Sequence, residues 1–260
     1  MKLRLVKVFN LVAVTPMDEW RLIIDRQADA FRNMGKDEAL LTTGKPTLRL
    51  YTWKPSAVSI GYFQCLNDEV EIDRCKAKGV DIVRRITGGG AVFHAREVTY
   101  SLTLPESMVP RDILESYRLI CGAVVEGLVL LGIQAEFRAI NDIIANNKKI
   151  SGSAQTRRGG VMLQHGTLLL AVDTPLMFSL LKVPDEKLRD KLIKAVEERV
   201  TSVEAVAGNI PLERIHLALR KGFEKQFKVK FKEGSLTQGE EDLTAMYEAK
   251  FKSREWNYRR

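Results

Sequence analysis

Residues 84–94 read Arg-Arg-Ile-Thr-Gly-Gly-Gly-Ala-Val-Phe-His, and they continue a run at residues 81–85 that predicts a β-strand. Three successive glycines let the backbone approach a ligand closely and adopt positive φ without steric cost. Their N–H groups are then free to face an anion. An ordinary hairpin turn is the alternative, but such a turn seldom needs three glycines between two arginines and a histidine. The stretch is neither G-x-G-x-x-G nor a Walker A motif, so the kinase and dinucleotide-binding classes are excluded.

A second unusual stretch, residues 148–155, reads Lys-Lys-Ile-Ser-Gly-Ser-Ala-Gln and is followed by His-Gly-Thr at residues 165–167. Its small residues leave one wall of a strand bare, and Lys149 is placed to neutralise charge that develops on a carboxylate and a phosphate. Lys148 is expected to point away to solvent. Upstream, the Asp142 carboxylate could hold Mg²⁺ and the Asn141 amide could fix a base or sugar, although Asn-Asp is also a common turn pair. Together the two stretches favour an activated acyl-nucleotide as the ligand.

The two arginines, the histidines and the cysteines carry less information. Strand alternation sends Arg84 and Arg85 to opposite faces, so that one could fork onto an anion while the other forms a surface or structural pair. The sequence leaves open which. His94 and His165 lack a cysteine or carboxylate at ligand spacing and make a poor metal site. The three cysteines, Cys65, Cys75 and Cys121, form no C-x-x-C pair and are interpreted as packing residues or bystanders.

The composition is that of a globular protein: 260 residues, 45% of them hydrophobic and 28% charged. No apolar run approaches the roughly 20 residues of a membrane span. Residues 1–15 are basic and then apolar, but Lys7 and Asn10 interrupt them and no small-x-small cleavage site follows, so a cytoplasmic protein is expected. The net charge of +8 favours acidic partners, without any nucleic-acid recognition motif.

The hydrophobic periodicity predicts one domain over residues 1–260, with a mixed β-sheet flanked by helices. The longest predicted element is a helix from residue 110 or 111 to 131, with Ile113, Tyr117, Cys121, Val124 and Leu128 on one face. Strands are predicted at residues 20–24, 47–52, 57–61, 81–85, 91–93, 99–104, 134–138, 142–145, 149–153, 162–170 and 229–232. Helices are predicted at residues 29–41, 70–78, 176–181, 185–196 and 212–227, followed by a last helix that Thr237 caps with Glu240. The part from about residue 175 is therefore mainly helical.

Several separated motifs, taken in order, resemble the lipoate–protein ligase A family and the related octanoyl and lipoyl transferases. The resemblance lies in residues 33–34, 37–40, 58–64, 84–94, 141–142, 149–155 and 164–169 and covers most of the chain from Trp20 onward. It implies an α/β (α+β) fold of the biotinyl/lipoyl protein ligase catalytic-domain type. The implied reaction joins lipoate and ATP, with Mg²⁺, to give lipoyl-AMP and pyrophosphate. The lipoyl group then passes to one lysine of a lipoyl domain of a 2-oxoacid dehydrogenase E2 or of a glycine-cleavage H protein.

The resemblance also implies roles for matching positions. Lys149 is the catalytic residue, which contacts the acyl carbonyl and the nucleotide phosphate, and Asp142 is the candidate Mg²⁺ ligand beside Asn141. The other implied substrate- and nucleotide-binding residues are Arg84, Arg85, Gly88, Gly89, Gly90, Ala91, Val92, Phe93, His94, Ser151, Gly152, His165, Gly166 and Thr167.

Three departures qualify the resemblance. Ala95 stands where the family usually has aspartate, and Gly35-Lys36 stands where it usually has apolar residues. Longer ligases carry a C-terminal domain that assists adenylation, whereas this chain stops just after Glu-Trp-Asn-Tyr at residues 255–258, which predicts either a separate accessory subunit or a chain that only transfers.

The main alternative is an octanoyl or lipoyl transferase acting on carrier-bound acyl groups, since some octanoyltransferases have this length and tail. Those enzymes resemble this chain but work through an acyl-cysteine, and no cysteine occurs in residues 137–142 or 161–164, so adenylate chemistry is favoured. A non-catalytic carrier-binding protein would predict an eroded Lys149 or glycine turn, and both are intact. A biotin–protein ligase would carry a Gly-Arg-Gly-Arg segment, which this sequence lacks.

Overall fold

The computed structural model of the chain describes residues 19–183 and 189–260. Its larger sheet contains β1 (Glu19–Ile24), β2 (Thr47–Tyr51), β6 (Glu97–Pro105), β7 (Ala135–Arg138), β8 (Asp142–Ala145), β9 (Lys148–Arg158), β10 (Val161–Leu169) and β11 (Lys230–Glu233). The strand order is β11-β1-β2-β6-β10-β9-β8-β7. β1 runs parallel to β2 and β11, whereas the other neighbours are antiparallel. The predicted mixed sheet is confirmed.

A smaller sheet carries the glycine turn. It consists of β3 (Ala57–Ile60), β4 (Asp81–Arg84) and β5 (Val92–His94), in the order β4-β3-β5. The triple glycine lies between β4 and β5, so both ends of the turn are fixed by the central strand β3. This arrangement holds the turn in place although the three glycines themselves have no side chains to pack.

Helices flank the two sheets. They are α1 (Ala30–Thr43), α2 (Leu66–Glu69), α3 (Ile72–Ala77), α4 (Ile113–Leu130), α5 (Thr174–Leu180), α6 (Arg189–Arg199), α7 (Val203–Ala207), α8 (Leu212–Phe227), α9 (Gln238–Lys252) and α10 (Arg254–Asn257). α4 and α8 pack together over the large sheet, and their buried side chains include Tyr117, Val124, Leu219 and Phe223. No helix within the described ranges has both the length and the apolar character needed to cross a bilayer.

Close packing of α1 against α9 explains the unusual Gly35-Lys36 pair. A Cβ atom on Gly35 would lie 3.0 Å from the carbonyl oxygen of Thr244 and 3.1 Å from the amide nitrogen of Glu248, so only glycine lets α9 approach this closely. Lys36 turns its ammonium onto Asp25 at 2.8 Å and is not exposed. The departure from the family pattern therefore has a structural cause, the position of the C-terminal helix.

Side chains cap several helices, and the sequence predicted one of these caps, at Thr237. Asp29 caps α1 by accepting from the amide of Arg32, and Asp112 caps α4 by accepting from that of Glu115. Thr237 and Glu240 form the predicted capping box of α9. These contacts join residues three positions apart, which is why a sequence pattern can reveal them.

Some boundaries differ from the prediction. The predicted helix at residues 70–78 begins only at Ile72, because Val70 pairs as an isolated bridge with Leu181. Ile113 is exposed rather than on the buried face, since it is the first residue of α4. The described part of the predicted helix at residues 185–196 lies in α6, and its start, like residues 1–15, falls outside the described residues.

Candidate active site

Lys149 projects from β9 at a register shift between that strand and β8. Asp142 pairs with Gly152 and Ile143 with Ser151, but Ile144 pairs with Lys149, so Ile150 is an extra residue. Residues three apart on a regular strand point to opposite faces, and one inserted residue reverses that parity. Lys149 consequently extends over Gly152, where a Cβ atom would lie 2.8 Å from the lysine Nζ. The bulge at Ile150 and the absence of a side chain on Gly152 together leave the space that the Lys149 ammonium occupies.

Two side chains at the start of β8 hold this part of the site. Asp142 Oδ1 lies 2.7 Å from Lys149 Nζ, and both side chains are partly exposed. Asn141 donates from its side-chain amide to the carbonyl of Ser153, whose own amide donates back to the Asn141 carbonyl. Asn141 thus fixes the strand that carries Lys149. Asp142 neutralises the Lys149 ammonium in the absence of an anionic ligand.

Glycine is favoured at Gly89 in the turn and at Gly61 in the segment packed against it, for two different reasons. Gly89 has φ of +95°, which favours glycine, and its carbonyl oxygen lies where a Cβ atom on Gly61 would be only 2.0 Å away. Gly90 faces open space, with no atom within 4 Å of its missing Cβ. The turn is therefore packed against the segment after β3 on one side and bare on the other.

Arg85 lies under this turn and is buried. Its Nε donates to Thr87 Oγ1 (3.2 Å), one terminal nitrogen to the carbonyl and hydroxyl oxygens of Ser59 (both 3.2 Å), and the other to the carbonyls of Gly88 (2.7 Å) and Gly90 (2.8 Å). All five guanidinium donors are thereby used. Among the described residues no carboxylate bonds to Arg85, and burial lowers its pKa to about 10. Arg85 acts as a fixed positive charge rather than as an open fork.

Arg84 occupies the opposite face of β4, as strand alternation predicts, and the structure places it away from the cavity. Its guanidinium donates to the carbonyls of Gly61, Tyr62 and Gln64 after β3 and to those of Trp256 and Asn257 in the C-terminal tail. The side chain is fully buried. The arginine pair therefore divides into a structural anchor, Arg84, and a cavity residue, Arg85. Arg84, which the resemblance implied for the adenylate pocket, does not line the cavity.

Arg85 and Lys149 line one large cavity of about 380 Å³. Its walls come from the glycine turn and β5, from β9, from the end of β10 and from the helices that follow. The predicted site residues among its lining are Arg85, Gly89, Gly90, Ala91, Val92, Phe93, Asn141, Lys149, Gly152 and Thr167. The cavity is large enough for a nucleotide-sized ligand, and the cationic side chains Arg85, Arg96 and Lys149 in its lining suit an anionic group.

A narrow channel of about 50 Å³ adjoins the large cavity. Arg85, Val92, Gly152 and Thr167 line both, so the two spaces meet at these residues. Aromatic, aliphatic and small residues form most of the channel, together with the predicted residues His94, His165 and Gly166. A slender, largely apolar group fits such a channel, with its polar end at the junction.

Three other predicted residues lie outside both spaces. Gly88 faces Phe63 on the far side of the turn. Ser151 is buried, because strand alternation from Gly152 turns it to the opposite face of β9. Asp142 reaches the site only through its ion pair with Lys149.

Sequence inspection missed many lining residues. The channel also contains Met34, Tyr51, Trp53, Ser59, Thr99 and Ala154, and the cavity also contains Ala95, Arg96, Glu97, Ser153, Leu169, Ala171, Val172, Asp173, Met177, Val196 and Val200. Most are ordinary core types that carry no chemical pattern. The pair His94 and Glu97 could have been recognised from its i, i+3 spacing, and the structure places His94 Nδ1 2.8 Å from Glu97 Oε1.

The described residues could bind magnesium only together with substrate phosphates, because they offer too few protein ligands for a metal site of their own. Within residues 19–183 and 189–260 no group of three His, Cys, Asp or Glu side chains could hold a metal ion. Mg²⁺ is commonly bound by one or two carboxylates plus substrate phosphates, and Asp142 could supply one. The site is therefore compatible with a metal that arrives with a nucleotide.

None of the three cysteines, all of which lie in the described ranges, lines the cavity or the channel. Cys121 is the nearest by contact, with Sγ 3.6 Å from Ser153 Oγ, but it is buried in α4 and burial raises its pKa to about 11. Burial likewise raises the pKa of Cys75 to about 11. A nucleophilic thiol should be ionised and accessible, so neither meets that requirement.

Comparison with known proteins assigns the chain to a family. The sequence model of the lipoyl protein ligase A/B catalytic domain matches residues 29–224. An octanoyltransferase LipM from Clostridioides difficile is 36% identical, over 94% of this chain and 100% of the relative. One from Kyrpidia tusciae is 38% identical, over 94% and 100%.

Solved structures give the same family. A bipartite lipoate protein ligase in an archaeal lipoylation system with its E2 lipoyl domain, from Thermoplasma acidophilum, has a TM-score of 0.86 at 34% identity, covering 92% of this chain and 96% of that one. A lipoate-protein ligase A bound with ATP has a TM-score of 0.82 at 31% identity, over 93% and 99%. The chain is thus an enzyme of the lipoate ligase and transferase family, and the expected fold is confirmed. It belongs to the lipoyl protein ligase A/B catalytic-domain family.

Proposed function

We propose that this enzyme attaches a lipoyl or octanoyl group to a lysine of a lipoyl domain, and that the acyl group reaches that lysine as an acyl-adenylate. One observation carries the proposal: a slender apolar channel opens into a nucleotide-sized cavity at a junction flanked by Arg85 and Lys149, and neither space contains a thiol. The acyl chain would occupy the channel and the nucleotide the cavity.

The chemistry needs positioned charge rather than an enzyme nucleophile. In the first step a carboxylate oxygen of the acid bonds to the α-phosphorus of ATP, and pyrophosphate leaves. In the second step the acceptor amine bonds to the acyl carbon, AMP leaves, and the nitrogen loses a proton to give the amide. Both steps develop negative charge on oxygen, which the Lys149 ammonium and the fixed Arg85 charge would stabilise.

Mg²⁺, when bound, would share the negative charge of the triphosphate, and Asp142 is the residue that we expect to hold it. The ion pair with Lys149 at 2.7 Å keeps the Asp142 carboxylate at the site. Asn141 would then support the strand beneath the acyl-phosphate junction, through its bonds to Ser153.

The partners follow from the relatives. The Thermoplasma acidophilum ligase is described as bipartite and was studied with its E2 lipoyl domain. By analogy we propose a lipoyl domain as the acceptor for this chain, with an H protein as a second candidate. We also propose that a separate accessory polypeptide assists adenylation.

A second candidate is octanoyl transfer from a carrier-bound thioester without ATP. The octanoyltransferase names of the curated relatives back this activity better than they back ATP-dependent ligation. We rank it second because the thioester route of such enzymes needs a reactive cysteine, and the thiols of Cys75 and Cys121 are buried with raised pKa values.

The deciding experiment supplies the purified chain and a lipoyl domain with three different donors. The first is synthetic octanoyl-AMP or lipoyl-AMP, the second is free acid with ATP and Mg²⁺, with and without a candidate accessory subunit, and the third is octanoyl carrier protein without ATP. We expect the acceptor mass to rise with the synthetic adenylate, which needs no accessory subunit. A mass gain with carrier protein alone, together with an acyl adduct on the enzyme, would establish the second candidate instead.

A further inference from the structure

Two chains of hydrogen bonds converge on Arg85 from different parts of the fold. In the first, Arg85 bonds to Thr87 Oγ1, Thr87 Oγ1 to His165 Nε2 (2.8 Å), and His165 Nδ1 to Asp37 (2.9 Å). Thr87 lies in the glycine turn, whereas His165 belongs to β10 and Asp37 to α1. This first chain therefore ties the turn to the large sheet.

The second chain has the same chemistry on other elements. Arg85 bonds to Ser59 Oγ, Ser59 Oγ to His94 Nε2 (2.7 Å), and His94 Nδ1 to Glu97 (2.8 Å). Ser59 belongs to β3, His94 to β5 and Glu97 to β6. The second chain therefore joins the small sheet to the central strands of the large one.

The donor direction in both chains is fixed by the groups at their ends. Arginine only donates, so each hydroxyl oxygen accepts from Arg85 and its own hydrogen is left for the histidine Nε2. An ionised carboxylate only accepts, so each histidine donates from Nδ1. Every bond thus points from the cation toward a carboxylate, an arrangement in which successive bonds polarise one another.

We infer that these two carboxylate–histidine–hydroxyl relays are positioning devices for acyl transfer, which hold the Arg85 guanidinium fixed relative to Lys149 across the two sheets. Arg85 has no direct carboxylate partner among the described residues, so rotation of its guanidinium is restrained by Ser59, Thr87 and the Gly88 and Gly90 carbonyls. His94 and His165 also line the acyl channel, so the same groups shape the space for the chain. The inference rests on the proposed site, and it is independent of which acyl donor the enzyme uses.

Threonine 87 offers the cleanest test, because valine has nearly its shape without the hydroxyl. We expect Thr87→Val to raise the KM for the acyl donor about tenfold, the scale of one lost hydrogen bond to a charged group. Thr87→Ser should restore the wild-type KM because it keeps the hydroxyl. Thr103→Val is the matched control, since Thr103 is equally buried and its hydroxyl has no partner in the described part of the chain.

The second relay has its own pair of variants. Ser59→Ala should also raise the donor KM about tenfold, while Ser101→Ala should not, because the buried Ser101 hydroxyl likewise lacks a partner among residues that the structure describes. Thermal midpoints should fall for Thr87→Val and Ser59→Ala, because each variant leaves buried arginine and histidine nitrogens without a partner. Thr87→Ser should restore both the KM and the thermal midpoint.

Coupling to Arg85 decides whether the relays act through it. In an Arg85→Lys background, Thr87→Val should change donor affinity less than about twofold, because lysine has no Nε–H to orient. KM is measured with whichever donor supports wild-type turnover, and dissociation constants replace it if Arg85→Lys is inactive. An equal effect of Thr87→Val in both backgrounds, or a failure of Thr87→Ser to restore the KM, would overturn the inference. Failure of the adenylate proposal would appear separately, as turnover with the carrier donor alone.

Discussion

Arg84 and Arg85 are neighbours in the sequence and both are buried, yet they belong to two different regions. Arg84 is on the anchor side of β4, where it bonds to backbone carbonyls of the C-terminal tail and of the segment after β3. Arg85 is on the cavity side, where it holds the glycine turn. The difference teaches that a buried positive charge can anchor backbone segments on one face of a strand and line a cavity on the other.

The largest expected effect concerns the anchor side. Arg84→Met leaves several buried carbonyls without a donor and should lower the free energy of unfolding by about 4 kcal/mol. Chemical denaturation measures it, with exposed Arg254→Met as the matched control, expected to stay within about 0.5 kcal/mol. An Arg84→Met protein with wild-type stability but a raised KM for the acyl donor would contradict this division of roles, because it would show that Arg84 acts at the ligand cavity and not as an anchor.

Lys149 provides the corresponding test on the cavity side. Lys149→Ala should reduce kcat/KM roughly 10²- to 10³-fold, since it removes a cation from the developing charge, and should leave the fold intact because the side chain is partly exposed. Lys148→Ala, one residue away and bonded to the Glu197 carbonyl, is the control. Equal losses in the two variants, or full activity of Lys149→Ala, would show that the lysine is misassigned.

The ion pair between Arg21 and Glu240, which lines neither the cavity nor the channel, should also respond to acid. Burial alone would raise the pKa of Glu240, but hydrogen bonds from Arg21 and from the Thr237 amide lower it from 4.5 to about 2. A depressed carboxyl pKa stabilises the fold above the unfolded value of 4.5, and this contribution is lost as pH falls through about 2. We expect the free energy of unfolding to fall by about 3 kcal/mol between pH 4.5 and pH 2. Denaturant titration at each pH measures this loss. Glu240→Gln should flatten the dependence, and an unchanged slope would contradict the assignment.

The smallest effect is expected at Gly152. A Cβ atom there would lie 2.8 Å from Lys149 Cε and Nζ, at the flexible end of the side chain. Gly152→Ala should therefore displace the ammonium and lower kcat/KM about tenfold, the scale of a misplaced catalytic group, with little change in stability. Gly239→Ala, where the Cβ atom meets nothing within 4 Å, is the control. A wild-type rate for Gly152→Ala would mean that the ammonium can act from another position.

Elements set by local contacts were predictable from the sequence. The Thr237 cap of α9 and the long helix α4 were predicted, and both follow from residues a few positions apart. The short helices α7 and α10 were missed, since five and four residues are too few for a helical period. The glycine turn and Lys149 were recognisable because their residue types are unusual, whereas Trp53 and Met177 look like ordinary core residues.

The sequence by itself determined the family, the mixed α/β fold class and the residues whose chemistry stands out. Only the tertiary structure decided which arginine faces the cavity and that Lys149 shares a face with Gly152. It also decided that two histidines, far apart in the chain, are hydrogen-bonded through Ser59 and Thr87 to one guanidinium, that of Arg85. The physical reason is that capping and periodicity depend on near neighbours, while strand parity after a bulge and buried hydrogen-bond chains depend on how distant elements pack.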